Sequence, residues 1–166
     1  MRKLVLPPDV KILEACGALG DGRVQLHDLG KAYMAIVTSS SGEKTYRVVV
    51  KRITENIVEA YSNDNGTIYR GYIGYPIISV LMLLGLLPRN SEVENSLKGI
   101  KWKELNEKYR KYSLTKLHVI KHASKNVKPE TINSFVKTVM AKLRSLEVIF
   151  DEKLAETVEK WKNRLT

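Results

Sequence analysis

The strongest constraint on the fold is an apolar run at residues 77–87, which directly follows Pro76. Proline suits the first turn of a helix, because the N–H that it lacks has no partner there. The run is interrupted by Ser79 and Gly85 and is too short to span a bilayer. A helix that is apolar on nearly every side is a buried one. We therefore expect a helix that lies beneath a sheet and that Pro88 ends.

Residues 33–52 have the alternation and composition of a β-hairpin, with Ser41-Gly42 as a two-residue turn. This register pairs position 37 with 46, 35 with 48 and 33 with 50, which makes one face apolar. Because side chains alternate between the faces of a strand, we expect Arg47 and Lys51 on the opposite face.

A second hairpin is predicted around Asn65-Gly66, since both residues tolerate the positive φ of a tight turn. In this register the polar face carries two rings and a cation: Tyr61, Arg70 and Tyr72. The core face carries Tyr69 and Ile73. A slip of one residue would exchange the two faces.

The C-terminal segment has a heptad pattern that begins after Pro129. Its apolar positions fall at steps of four and three: Ile132, Val136, Val139, Leu143, Leu146 and Phe150. After a stutter the pattern continues through Leu154, Val158, Trp161 and Leu165. We expect a long coiled-coil-like helix that dimerises the protein. The alternative is a long amphipathic helix packed on its own domain.

These elements predict an α+β fold, in which a small antiparallel sheet of two β-hairpins packs on helices and a long C-terminal coiled-coil-like helical segment follows. The predicted domains are an α+β nucleic-acid-binding domain at 1–128 and a helical dimerisation segment at 129–166. Residues 9–31 resemble the opening of a helix-turn-helix domain, but the chain that follows is β-rich where a recognition helix is needed. We expect an ordinary helix and loop there.

Charge is concentrated in one part of the chain. The formal net charge is +10, and residues 98–128 supply +8 of it, with 10 basic and 2 acidic residues. A solvated helical face usually mixes charges of both signs, and this one barely does. The segment therefore indicates an anionic partner.

Rings beside cations are what sequence-tolerant binding of single strands requires, since bases stack on rings and cations track phosphates. The predicted sheet face supplies Arg47, Lys51, Tyr61, Arg70 and Tyr72. The basic segment would form a wall of the same groove with Lys101, Lys103, Lys108, Arg110 and Lys111. As an alternative, Tyr61 and Tyr72 simply cover an exposed sheet face.

Motifs of catalysis and cofactor binding are not found in the sequence. It has no P-loop, no G-x-G-x-x-G, no H-E-x-x-H and no evident carboxylate pair, so we expect neither an enzyme nor a cofactor. His118 and His122 have helical metal-ligand spacing, but they lack a third ligand and lie among lysines, so we expect no metal. Cys16 is the single cysteine and no secretory leader is evident, which favours a cytoplasmic protein. Lysine occurs 19 times and glutamine once, a composition that leans towards a thermophile.

Element order and two motifs resemble a known family. The hairpins, then GYPIISVLMLLGLLP, then LKGIKWKELNEKY and a zipper-like C-terminal helix resemble the ThermoDBP group of single-stranded DNA-binding proteins from thermophilic archaea. The likeness spans roughly residues 33–166. It implies a cleft with an aromatic or apolar floor and basic walls, and a dimer formed through the C-terminal helix.

We therefore expect a non-enzymatic protein that binds single-stranded DNA largely independently of sequence, with RNA as an open alternative and no membrane partner. Two rival functions stay open. One is a transcription regulator that binds duplex DNA, on the basis of residues 9–31. The other is a protein-interaction module that acts through the coiled coil.

Overall fold

The computed structural model describes the backbone of residues 1–165 and the side chains of residues 1–163. The strands are β1 (Arg2–Lys3), β2 (Val24–Asp28), β3 (Tyr33–Thr38), β4 (Thr45–Arg52), β5 (Ile57–Ser62) and β6 (Glu147–Phe150). The helices are α1 (Val10–Gly20), α2 (Asn65–Ile68), α3 (Tyr75–Leu83), α4 (Ser91–Ser96), α5 (Trp102–Tyr109), α6 (Tyr112–Ala123), α7 (Pro129–Ser145) and α8 (Ala155–Leu165). A 3₁₀ turn at Glu152–Leu154 precedes α8.

Within residues 1–165 the strands form one six-stranded mixed sheet in the order β1-β6-β5-β4-β3-β2. Strands β2 to β5 run as an antiparallel meander, whereas β6 lies parallel to β5 and antiparallel to β1. The chain is α+β, but the predicted architecture of two antiparallel hairpins and a coiled coil is wrong. Two strands were missed at one edge, β1 and β6, and one at the other, β2.

The register of the first hairpin is confirmed. Tyr33 pairs with Val50, Ala35 with Val48, and position 37 with 46. The connection is longer than a two-residue turn, since β3 ends at residue 38 and β4 begins at residue 45. The alternation of apolar side chains therefore specified the pairing without specifying the turn.

The second predicted hairpin is wrong. Asp64 is the N-cap of the short helix α2, and its side chain accepts a hydrogen bond from the Thr67 backbone N–H at 3.1 Å. That cap diverts the chain into a helical turn, so Asn65-Gly66 connects no pair of strands. Tyr69, which was expected in the core, is 81% exposed, whereas Ile73 is buried as expected.

The apolar helix is buried as predicted, and it packs against α1, β4 and β5. It ends earlier than Pro88, because residue 84 is its C-cap and Gly85 follows with a φ of 75°. A positive φ is easily adopted only by glycine, and it turns the chain out of the helix.

The long C-terminal coiled coil is wrong. Helix α7 ends at Ser145, Leu146 is extended (φ −96°, ψ 144°), and the chain then forms β6 in the sheet. Ile132, Val139 and Leu143 are buried in the same core as α1 and α3. The heptad seam of α7 is therefore the core-facing stripe of an amphipathic helix, which was the alternative interpretation. The dimer stays a prediction, but within residues 1–165 the coiled coil on which it was based is not formed.

The sheet has helices on both of its faces. Most helices pack on the face of Val48 and Val50, which carries the main core. Helix α8 covers the other face, where Val158 and Trp161 pack against Met34 and Val49. Among the described residues, no helix combines the length and the apolar character needed to cross a membrane.

The helix expected within residues 9–31 is α1, which begins directly after its N-cap Asp9. The loop expected after it is strand β2 at the edge of the sheet. A strand therefore stands where the second helix of a helix-turn-helix motif would be, and the motif is not formed.

Candidate functional site

Helix α1 carries a buried ion pair. Glu14 is only 4% exposed although its neighbours Leu13 and Ala15 belong to the apolar core. The Glu14 Oε1 atom accepts a hydrogen bond from Lys11 Nζ at 3.1 Å, one helical turn earlier. Removing charges from water is costly, so such a pair on an apolar helix marks this end of α1 as a candidate site.

The Lys11–Glu14 pair lies in the wall of a cavity of about 350 Å³. The cavity opens at the edge of the sheet where β3 and β5 end and β4 begins. Four phenol rings line it, from β4, from the turn after α2, from α3 and from α6: Tyr46, Tyr72, Tyr75 and Tyr112. We call this cavity the tyrosine pocket. Its volume is typical of pockets that hold small molecules, at about 300–1,000 Å³.

Local contacts fix the four rings. Tyr46 and Tyr75 meet edge to face, with centroids 6.1 Å apart. The hydroxyl oxygens of Tyr72 and Tyr112 are 3.4 Å apart. The Tyr72 ring lies directly on Gly66, where any Cβ would come within 2.4 Å of it. The rings are therefore held in place before any ligand binds.

Three tyrosine hydroxyls of the pocket, those of Tyr46, Tyr72 and Tyr75, stay protonated because their pKa values are raised. Burial is the main cause that raises the pKa of Tyr46, Tyr72 and Tyr75 above the ordinary value, and the nearby Glu14 carboxylate raises each of them further. In Tyr72 the hydrogen bond with Tyr112 acts in the same direction. At neutral pH these three residues therefore present neutral phenols, which can both donate and accept hydrogen bonds.

Asp64, the second buried carboxylate in the lining, has a structural role. It accepts hydrogen bonds from the Ser62 hydroxyl and from both the backbone N–H and the hydroxyl of Thr67. Gly74 packs against it so closely that a Cβ would come within 2.2 Å of its Oδ2 atom. Asp64 thus fixes the turn that carries Tyr72 into the pocket.

A second depression, of about 290 Å³, adjoins the tyrosine pocket. The two share Lys11, Arg70, Asn106 and Tyr112, so they lie side by side, and we call the two cavities together the basic groove. Its cations are Lys11, Arg23, Arg70, Lys103, Arg110 and Lys111. Cations outnumber the acidic residues Glu14, Asp64 and Glu107 of the same lining, which makes the groove attractive to anions.

Five of the ten predicted site residues line the basic groove: Arg70, Tyr72, Lys103, Arg110 and Lys111. Lys103 forms an ion pair with Glu43 at 2.9 Å on the exposed rim. Lys101 is the exposed N-cap residue of α5, and Lys108 is exposed with its Nζ 5.3 Å from the Tyr109 ring centroid. Neither Lys101 nor Lys108 lines the groove.

Arg47, Lys51 and Tyr61 lie on the other face of the sheet. Tyr61 pairs with Val49, which faces α8, and the Tyr61 ring contacts Phe150 with centroids 5.8 Å apart. The predicted face that joins Tyr61 to Arg70 and Tyr72 is therefore wrong. The reason is that β5 continues into α2 and never returns as the strand on which that pairing depended.

Sequence reasoning missed several residues of the groove, which come from separate parts of the chain: Lys11, Glu14, Tyr46, Tyr75 and Tyr112. One signal for the first two was present. Lys11 and Glu14 are the only charged residues in α1, whose other residues are apolar or glycine. An i, i+3 pair of opposite charge on such a helix indicates a polar site at one side of the core.

Metal-binding geometry is not found in the described part of the chain, where no group of three or more His, Cys, Asp and Glu side chains could hold an ion. His118 Nδ1 instead lies 3.1 Å from the Tyr109 hydroxyl. That contact places His118 on the outer surface of α6, away from the tyrosine pocket.

Comparison with known proteins yields one family. No match was found among curated proteins or among solved structures. The family model described as "Uncharacterised conserved protein UCP014422" matches residues 4–149, which include every element from α1 to α7. The resemblance to the ThermoDBP group stays a prediction beside this match. The chain belongs to the family of the uncharacterised conserved protein UCP014422.

Proposed function

We propose that this protein binds single-stranded nucleic acid in the basic groove, without a catalytic step and largely independently of sequence. The observation that carries the proposal is that the two cavities of the groove adjoin, which brings four tyrosine rings beside six cations. Single strands expose both phosphates and base faces, so they are the nucleic acid that such a lining can use fully. A cytoplasmic location belongs to the same proposal.

The two halves of the groove have different tasks. The tyrosine pocket is large enough for one base, and its rings offer stacking that is worth about 1–3 kcal/mol per base. The adjoining depression has little aromatic surface beyond Tyr112, but it carries Arg70, Arg110 and Lys111, which suit successive phosphates. The strand would therefore insert one base and lay its backbone along α5 and α6.

The test is a titration of fluorescent oligo-dT at rising salt concentration. Each phosphate contact should contribute about −0.7 to the slope of log K against log salt for a single strand. We expect a slope of about −2 if the three cations of the depression each contact a phosphate. Absence of binding at low salt, or binding that salt does not weaken, would contradict the proposal.

Paired variants locate the site. Arg70→Ala should weaken oligo-dT binding and reduce the salt slope by about 0.7, because it removes one phosphate contact. Lys51→Ala removes an equal charge from the other face of the sheet and should leave both quantities unchanged. Equal losses in the two variants would show that net charge, and not the groove, determines binding.

The structural features on which the two rival functions relied are not found in the described part of the fold. The duplex regulator relied on a helix-turn-helix motif, and the interaction module relied on a coiled coil. Competition of duplex DNA against oligo-dT tests the first, and tighter duplex binding would restore it. RNA is compatible with the groove, and a parallel titration of oligo-U decides between the two nucleic acids.

A further inference from the structure

We propose that the tyrosine pocket selects a base with an exocyclic amino group, and that the Glu14 carboxylate accepts the hydrogen bond from that group. The inference rests on the proposed function. It deepens that function by assigning a base preference to one nucleotide of an otherwise sequence-tolerant strand. Its starting point is the presence of a buried carboxylate in a groove that has to attract an anion.

The carboxylate of Glu14 can accept more hydrogen bonds than the one it receives from Lys11. A carboxylate offers about four lone-pair positions to hydrogen-bond donors. Among the described residues, the Glu14 carboxylate accepts one side-chain hydrogen bond, from Lys11 Nζ to its Oε1 atom. A ligand that offers an N–H to the remaining positions would compensate part of the cost of burying this charge.

The other acidic residues of the pocket are unsuited to the task. Asp64 is occupied by Ser62 and Thr67. Glu107 is exposed on α5, where water competes for its hydrogen bonds. Glu14 is therefore the acceptor that a buried base meets, and the tyrosine hydroxyls around it can adapt as donors or acceptors.

The bases differ at the relevant position. Cytosine, adenine and guanine carry an amino group, and carboxylates accept hydrogen bonds from cytosine N4 in known protein–DNA contacts. Thymine and uracil present a carbonyl oxygen where cytosine has its amino group. A carbonyl oxygen beside the Glu14 carboxylate would bring two acceptors together. The N3–H of thymine and uracil is a donor, but it lies between two carbonyl oxygens, which would repel the same carboxylate. The pocket should therefore disfavour thymine and uracil.

The experiment compares oligo-dC with oligo-dU at pH 8, because cytosine and uracil differ only along the edge that carries the amino group, where uracil has a carbonyl oxygen and an N3–H, and neither has the methyl group of thymine. We expect the wild-type protein to bind oligo-dC about tenfold more tightly. Glu14→Gln should bring the ratio of the two affinities close to one, since an amide both donates and accepts. Lys137→Ala, an exposed change on α7, should leave the ratio as it is.

A chemical variant of the ligand covers the case in which Glu14→Gln does not fold. Oligo-dC with N4,N4-dimethylcytosine lacks both amino protons and should bind wild-type protein no better than oligo-dU. Equal binding of oligo-dC and oligo-dU with normal salt dependence would overturn the base preference and leave the proposed function intact. A preference that survives Glu14→Gln would overturn the role of Glu14. Absence of binding to every single strand would overturn the proposed function itself.

Discussion

At the scale of single residues, the Lys11–Glu14 pair is the feature that least resembles ordinary core packing. Both side chains are largely removed from water, and they lie 3.1 Å apart. The attraction between buried charges often only offsets their desolvation. The pair is therefore weak as a source of stability, and under the proposed function its presence is explained by what it offers to a ligand.

Breaking the pair on one side should be costly. We expect Lys11→Met to lower the free energy of unfolding by about 3–5 kcal/mol, because it leaves the Glu14 charge buried without its partner. The double variant Lys11→Met/Glu14→Leu should recover most of that loss. Urea unfolding of the three proteins measures both effects. A single variant as stable as the double variant would mean that Glu14 is compensated by other groups.

Alkaline pH should destabilise the protein through Cys16. Burial, and to a lesser degree the charge of Glu94, raises the pKa of the Cys16 thiol well above its ordinary value of 9.0. The unfolded chain therefore loses this proton near pH 9 while the folded chain keeps it. Since the folded pKa is the raised one, the stabilisation is complete below pH 9 and falls as the pH rises further.

The Cys16 effect is measured as a difference between two proteins. Urea unfolding of the wild type and of Cys16→Ala at pH 8 and pH 10 should show the stability difference narrowing by about 1.4 kcal/mol. Subtraction removes the titration of lysines and tyrosines, which both proteins share. If the stability difference between the two proteins is the same at both pH values, the thiol ionises equally in the folded and unfolded chains.

At the scale of elements, the sequence predicted those whose signal has a single interpretation. The apolar helix α3 and the β3–β4 register were of this kind, because a slip in register would have buried polar side chains. The Asn65-Gly66 signal had two interpretations, because Asp64 before it can also cap a helical turn. Residues 146–150 also fit two patterns: Leu146 and Phe150 continue the heptads, yet Leu146, Val148 and Phe150 alternate as in a strand.

The same ambiguity limited the prediction of the site. The cations of residues 98–128 could be read from charge alone, and part of them does line the groove. Tyr46, Tyr75 and Lys11 come from three separate elements, and only the packing of α1, α3 and β4 brings them together. No local pattern in the sequence specifies that packing.

Helix α7 offers a test of the corrected interpretation. Val139 is fully buried in the protein's own core, so Val139→Asp should lower the free energy of unfolding by at least about 3 kcal/mol. Lys137→Asp, on the exposed side of the same helix, should change it little. Circular dichroism and urea unfolding measure the loss. A Val139→Asp protein that keeps its fold and changes only its oligomeric state would support the coiled coil instead.

At the scale of the whole molecule, the sheet separates two structural regions. One face carries the main core, and the basic groove opens at its edge; the other face is covered by α8. Met34 and Val49 would be exposed to water without α8. We therefore expect α8 to stabilise the fold without taking part in binding.

Weakening α8 should separate stability from affinity. Val158→Ala should lower the free energy of unfolding by about 1–3 kcal/mol, because it leaves a space against Met34 and Val49. The affinity for oligo-dT, measured where the variant is fully folded, should stay within twofold of the wild type. A larger loss of affinity would show that the α8 face contributes to the binding site.

The position of β6 between β1 and β5 has a consequence for biosynthesis. Residues 2 and 3 pair with residues 149 and 150, and β5 pairs with β6 on its other side. A ribosome releases the meander of β2 to β5 long before it releases β6, so an open strand edge is exposed to other nascent chains during most of translation. Closing that edge requires contacts of very long sequence separation, which form slowly. The chain therefore leaves the ribosome first as an incomplete sheet, and β6, the last strand to be translated, is the one that covers the edge of β5.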